Sequence, residues 1–178
     1  MLFILGMQGW IGGVMGSMVK NYTKNETGHI RIATPKFEEK YKFLPVTDNL
    51  AEPDKIIQSI RSSPTIAPQV VTVTPRIVFG VLLSNNGNNQ AAMAFAGEAE
   101  NEKDLLMLEK SVLPGGRAIT GSREAIIGAS LASRLGFKVG NTLKIVTSGS
   151  DYALRMKKAT IVGIFKTGIN SLDENMFQ

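Results

Sequence analysis

The chain offers few residue types with chemistry to perform: one histidine, His29, no cysteine, and a run of acids, Glu98, Glu100, Glu102, Asp104 and Glu109. A Ser-His-Asp triad or a multi-histidine metal site would have to be built around His29 alone. That residue sits in "GHIRIA" (28–33), on the polar side of a predicted strand, and reads as an exposed or hydrogen-bonded histidine. Without cysteine there is no thiolate ligand, thiol nucleophile or disulfide framework. The acids have the density of a paired-carboxylate acid–base site. However, "NEKDLLMLEK" (101–110) reads as a helix capped by Asn101, and acids collect at a helix N-terminus because they complement its dipole. "PGGR" (Pro114 to Arg117) has too few glycines, in the wrong order, to cradle a phosphate, and reads as a turn. These patterns point to no catalytic residue, no metal site and no cofactor, hence to a protein that is not an enzyme.

Composition leaves room for one sizeable core or two small subdomains, since 43% of the 178 residues are apolar. The net charge of +5 allows an anionic partner. Between Arg134 and Lys166 stand Arg134, Lys138, Lys144, Arg155, Lys157, Lys158 and Lys166 against Asp151 alone. Nucleic acid is disfavoured as that partner, because Phe137, Tyr152 and Phe165 are too far apart to form a stacking platform. A solvated strand face looking toward acidic head groups or an acidic partner fits the cluster better.

The elements that must position these residues read as a mixed α+β body. After the strand at 28–33 comes a helix in "EPDKIIQSIRS", with Pro53 in its first turn and Ile56, Ile57 and Ile60 on one stripe. "PQVVTVTPR" (68–76) and "RIVFGVLLS" (76–84) read as strands separated by a bend at Pro75. The second enters a hairpin through "NNGNN" (85–89) into "QAAMAFAGE". "REAIIG" is a strand running directly into the helix "ASLASRLGF", where Gly136 can take the left-handed C′ position and Phe137 can fold back. "NTLKIVTS", a "GSD" turn and "LRMKKATIVGIF" close the sequence as a strand pair.

The opening stretch differs from all of this. Met1 to Val19 carries no charge and holds Gly6, Gly9, Gly12, Gly13 and Gly16. It lacks the positive start and the cleavage site of a secretory leader. As a helix it would rise roughly 28 Å, close to the hydrocarbon thickness of a bilayer, and so many glycines are better tolerated in lipid than in water. A membrane span, or its outer end, is the expectation.

Several phrases occur in a telling order: "GHIRI" after the Gly-rich apolar run, "TPRIVFGVLLS", "GRAITGSREAIIGASLASRLGFKVGNTLKIV" and "TIVGIFKTGINSLDE". From about Met7 onward they resemble the extracytoplasmic domain of ABC-transporter permeases of the MacB and LolC/LolE (lipoprotein-releasing) superfamily. The resemblance implies an α+β fold, a porter-like α/β layer with an inserted mostly-β subdomain, preceded by the outer part of a transmembrane helix. Residues 1–27 would be that helix end and its stalk, and 28–178 the extracytoplasmic domain. The second half of the porter layer and three further spans would lie beyond Gln178, so that the sheet here would keep an edge for the rest to cover. The implied setting is the inner (cytoplasmic) membrane, with this domain on its periplasmic side. Implied partners are a cytoplasmic ABC ATPase subunit, a second permease copy or paralogue, and a periplasmic lipoprotein or its chaperone, with no cofactor and no nucleic acid. The implied action is mechanical, coupling ATP hydrolysis to lipoprotein release or export. Some relatives carry a long proline-bearing hook before the "VGIF" segment. Here the matching stretch, Thr147 to Lys158, is short and lacks that tip, which leaves Ser148, Gly149, Ser150, Asp151 and Tyr152 as the candidate partner-binding turn. The alternative from another class is a membrane-tethered or secreted binding module, with "NNGNN" as its interaction edge.

Overall fold

The computed structural model describes residues 13–17, 29–85, 87–98, 101–102, 108–149, 151 and 153–178. Its strands are β1 (Arg76–Asn85), β2 (Asn88–Gly97), β3 (Glu124–Gly128), β4 (Thr142–Ser148), β5 (Leu154–Phe165) and β6 (Met176–Phe177). They close a small barrel in the order β1-β2-β6-β3-β5-β4. The β1–β2 hairpin pairs Asn85 with Asn88 across an Asn-Gly turn in which Gly87 has φ 87°, the sign such tight turns require.

Alternation along the strands, reset on β5 by a register shift opposite Ala125 and Ile126, divides the apolar residues between two clusters. Val81, Leu83, Ala92, Ala94, Ala125, Ile127, Leu143 and Ile161 point into the barrel. Helix α3 (Ala129–Leu135; the helices are numbered α1 to α4 in chain order) adds Leu131, Ala132 and Leu135 to that interior, with Phe137 behind them. The helix ends as its sequence predicts: Gly136 is left-handed at φ 69°, and the Phe137 N–H returns to the Ala132 carbonyl at 2.8 Å. Phe95, Ile126, Val162, Phe165 and Met176 face outward into a second cluster, covered by Leu108, Val112, Ile119 and Leu172.

Two glycines permit this outer layer. The "PGGR" segment is a turn lying along β5, with the Leu113 N–H on the Ile164 carbonyl and the Arg117 N–H on the Val162 carbonyl, both at 2.8 Å. A Cβ on Gly163 would stand 2.6 Å from the Arg117 carbonyl oxygen, so only glycine lets the two backbones meet. On β3, Gly128 packs directly on the backbone of Asp173 in helix α4 (Asn170–Asn175), which leads straight into β6. The buried Asp173 carboxylate accepts bonds from the Thr167 N–H at 2.8 Å, the Thr167 hydroxyl at 2.9 Å and the Gly168 N–H at 3.1 Å. These bonds account for the tight "KTGINSLDE" phrase.

Residues 29–75 depart from expectation. Helix α2 (Pro53–Ser62) forms with Pro53 at its start and Arg61 in its last turn, as read from the sequence. Helix α1 (Pro35–Glu39), capped by the Thr34 hydroxyl on the Phe37 N–H at 3.2 Å, was not expected. Residues 29–33 and 70–75 join no ladder among the described residues, and 67–69 form a 3-10 turn instead of a strand. Alternation alone does not make a strand. Ile30 stays 85% exposed because no neighbouring strand covers it, and Pro68 and Pro75 withhold ladder donors.

Most of the expected membrane segment, 1–12 and 18–19, lies outside the described residues; 13–17 form a helical turn. Among the described residues no helix is long and apolar enough to cross a membrane. The expected helix at 101–110 also falls largely outside them, with 101–102 helical and Glu109–Ser111 a 3-10 turn.

Candidate functional site

The β4–β5 hairpin is an arm. Its strands pair from Thr142↔Thr160 out to Ser148↔Leu154, but β1 accompanies β4 only opposite Lys144 to Val146, and β3 joins β5 only from Thr160 onward. The outer half of β5, Leu154 to Lys158, is therefore exposed on both faces, with Leu154 at 78% and Met156 at 63%.

The predicted turn closes this arm. The Gly149 N–H donates to the Ala153 carbonyl at 2.9 Å. Asp151 Oδ1 accepts from the Ala153 N–H at 3.2 Å, and Oδ2 accepts from Arg155 Nη2 at 2.7 Å. The Arg155 guanidinium, then the Ala153 N–H, holds the Asp151 carboxyl below its ordinary range. A Cβ on Gly149 would sit 2.5 Å from Asp151 Oδ1, so glycine makes space for the carboxylate to curl under the turn. Ser148, Gly149 and Asp151 thus meet at one tip; Ser150 and Tyr152 lie outside the described residues.

Sequence reading marked the basic residues beside that tip as a solvated strand face but missed the apolar row that shares it. Strand register places Leu82, Val146 and Met156 in one row on the outer surface, and Ser84, Lys144 and Lys158 in the next. Directly opposed like charges oppose folding by a few tenths of a kcal/mol to ~1 kcal/mol, so the Lys144–Lys158 pair does not serve stability. The available signal was "LRMKKA" itself, where apolar and basic residues alternate with nothing to bury them.

The other candidates are dispersed. His29 is exposed, and among the described residues no group of three His, Cys, Asp or Glu could hold a metal. Glu98 Oε2 accepts from Asn101 Nδ2 at 2.5 Å. Glu102 is buried against Arg76, accepting from Nε at 3.1 Å and Nη2 at 2.5 Å, while the same guanidinium lies 5.2 Å from the Phe95 ring centroid. Glu109 is half-buried in its turn, and Glu100 and Asp104 lie outside the described residues. Glu124 binds Arg117 through both oxygens and takes the Thr120 and Gly121 N–H groups at 2.9 and 3.0 Å. The Arg117 bonds, then those N–H groups, pull its pKa down to about 2. Glu98, Glu102 and Glu124 thus each bind a different neighbour. A cavity of about 590 Å³, lined largely by apolar side chains such as Ile32, Phe37, Ile56, Ile60, Val73 and Phe95, separates residues 30–60 from the barrel wall.

The model of the MacB-like periplasmic core domain matches residues 1–177. The chain belongs to this family. The resemblance read from the sequence is thereby established for the family, and the mixed α+β class with it. The chain is 29% identical over 106 residues to the lipoprotein-releasing system transmembrane protein LolC of Neisseria meningitidis serogroup B, a match covering 50% of this chain and 26% of that protein. The periplasmic core domain also superposes on the crystal structure of the extracellular domain of the ABC-type transporter YknZ from Gram-positive bacteria. That superposition has a TM-score of 0.50 at 16% identity and covers 70% of this chain and 59% of the other. At that identity the likeness is one of fold. The chain thus spans about a quarter of its LolC relative and about three-fifths of the YknZ domain.

Proposed function

We propose that this chain is the extracytoplasmic part of an ABC-transporter permease subunit, working on the outer side of the cytoplasmic membrane. In this reading, ATP hydrolysis by a separate cytoplasmic subunit moves the domain against a second permease copy or paralogue, and the motion releases or exports a lipoprotein. The observation that carries it is the family match over residues 1–177, supported by the LolC relative. Residues 1–27 are the outer end of a membrane helix and its stalk, and 28–178 the exported domain. The stretches at 30–33 and 72–75, with α2 between them in sequence, are read as the first elements of a porter-like layer; its apolar side would be the Ile56, Ile57, Ile60 stripe lining the cavity. The barrel is the inserted β subdomain, a rigid lever whose position is biased from a distant nucleotide site.

The tip at Ser148, Gly149, Ser150, Asp151 and Tyr152 is where the lever touches its periplasmic partner, a lipoprotein or its chaperone. The test uses the full permease assembled with its ATPase in proteoliposomes. Deleting 148–152 is expected to leave basal ATP hydrolysis intact and to abolish transfer of lipoprotein to a soluble acceptor. Unchanged transfer would remove the tip from the mechanism. An assembly whose nucleotide turnover never responds to lipoprotein would remove the transport reading.

A further inference from the structure

β5 has an edge that the barrel does not use. The Thr160 N–H turns toward β3, donating to the Arg123 carbonyl at 2.8 Å, and the Ile161 N–H turns toward β4, donating to the Asn141 carbonyl at 2.9 Å. The β4–β5 register runs without a shift from Thr160 to Leu154, so strand alternation points the N–H and C=O groups of Lys158, Met156 and Leu154 to the β3 side. β3 begins only opposite Thr160, and among the described residues nothing pairs with this stretch. The result is about 17 Å of strand, at roughly 3.3 Å per residue, with every second residue presenting a donor and an acceptor to solvent.

Charge selects what such an edge can take. Arg155 is matched by Asp151, but Lys144, Lys157 and Lys158 have no acidic partner among the described ion pairs. An antiparallel second copy of β5 centred on Met156 would set Arg155 of each copy against Lys157 of the other, which like-charge repulsion across strands opposes. An extended segment alternating acidic and apolar residues meets the opposite condition: its acids fall on the face of Arg155 and Lys157, and its apolar side chains on the face of Leu154 and Met156, with Lys158 at the end of that row. We propose that the β5 edge from Leu154 to Lys158 captures an extended acidic segment of another protein by strand addition. The inference rests on the reading of this hairpin as the partner-contacting arm, but places recognition on the strand's backbone edge and not on the turn.

The experiment titrates the full chain with a fluorescein-labelled peptide of alternating Val and Glu, a Val/Lys counterpart, and the Val/Glu peptide N-methylated at alternate residues. Met156→Pro removes an N–H that faces the open edge and none that the β4 ladder uses. Lys157→Glu with Lys158→Glu reverses the charge and keeps the backbone. The acidic peptide is expected to bind in a salt-sensitive manner, with Kd raised at least tenfold by either change, and the N-methylated peptide is expected not to bind. Should Met156→Pro fail to fold, the charge reversal and the N-methylated peptide still decide the matter. The proposal is overturned by absence of binding, by equal binding of the Val/Lys or the N-methylated peptide, or by indifference to both variants. It is also overturned if the chain ignores the peptide and sediments with phosphatidylglycerol vesicles, which would make the basic arm a membrane contact. A Tyr152→Ala chain that binds the peptide normally yet fails in lipoprotein transfer would leave both the edge and the tip in place; loss of peptide binding there would assign recognition to the turn.

Discussion

Gly128→Ala is a severe change at a position with unstrained backbone. Gly128 has φ −61° and ψ 142°, which any residue adopts, so the effect of a methyl group there is steric alone. The added Cβ would lie 2.8 Å from the Asp173 carbonyl carbon and 2.9 Å from its Cα, and would collide outright with its carbonyl oxygen. All are backbone atoms, so no side chain can swing away. Nor is α4 free to retreat, because the Asp173 carboxylate is fixed by three bonds to Thr167 and Gly168. Overpacking of this kind costs about 1–3 kcal/mol, which in a domain of this size lowers Tm by about 2–12 °C. The control is Gly80→Ala on β1, where a Cβ would meet nothing within 4 Å; its expected effect is within about 0.5 kcal/mol. Urea titration followed by far-UV circular dichroism reads both, with the slope expected to stay constant and only the midpoint of Gly128→Ala to fall. Equal midpoints for Gly128→Ala and wild type would refute the close approach of β3 and α4.

Phe165→Ala empties the centre of the outer cluster, where the ring is wholly buried; a loss of about 3–5 kcal/mol is expected by the same titration. Glu102→Ala removes a buried carboxylate that accepts two bonds from Arg76 and is expected to cost about 1–3 kcal/mol, whereas Arg76→Met with Glu102→Met is expected to recover most of it; equal losses would contradict the pair. Glu124, held at about 2 from an ordinary 4.5, favours the folded state while ionised. Its contribution is therefore complete above about pH 4.5 and lost as pH falls toward 2. Melting temperatures of wild type and Glu124→Gln are expected to converge over that range, and a difference independent of pH would contradict the Arg117 clamp.

What could be read in advance was whatever depended on neighbours in sequence. Asn86-Gly87 specified a hairpin, Pro53 and the isoleucine stripe specified α2, and Gly136 with Phe137 specified the end of α3. Elements defined by distant partners were hidden. β6 is two residues long and carries no period; it exists because α4 delivers it between β2 and β3. Ile30 and Ile32 alternate as a strand should, yet pairing is settled by a neighbour that 29–34 does not have among the described residues. The same holds at the arm. "GSD" announced a turn, but the open edge follows from β3 beginning only opposite Thr160, which no local pattern states. Thr34-Pro35 did carry a local signal, a capping threonine before proline, and α1 could have been read from it.

That this domain works outside the cytoplasm is directly measurable, because its 178 residues hold no cysteine. Lys157→Cys places a thiol on the exposed arm, and in a full-length permease with any cysteine outside these residues changed to serine it is the one thiol to follow in intact cells. A membrane-impermeant maleimide is expected to label it without disruption of the cytoplasmic membrane, to the extent seen after lysis. Labelling that appears only after lysis would put the domain on the wrong side of the membrane and contradict the claim.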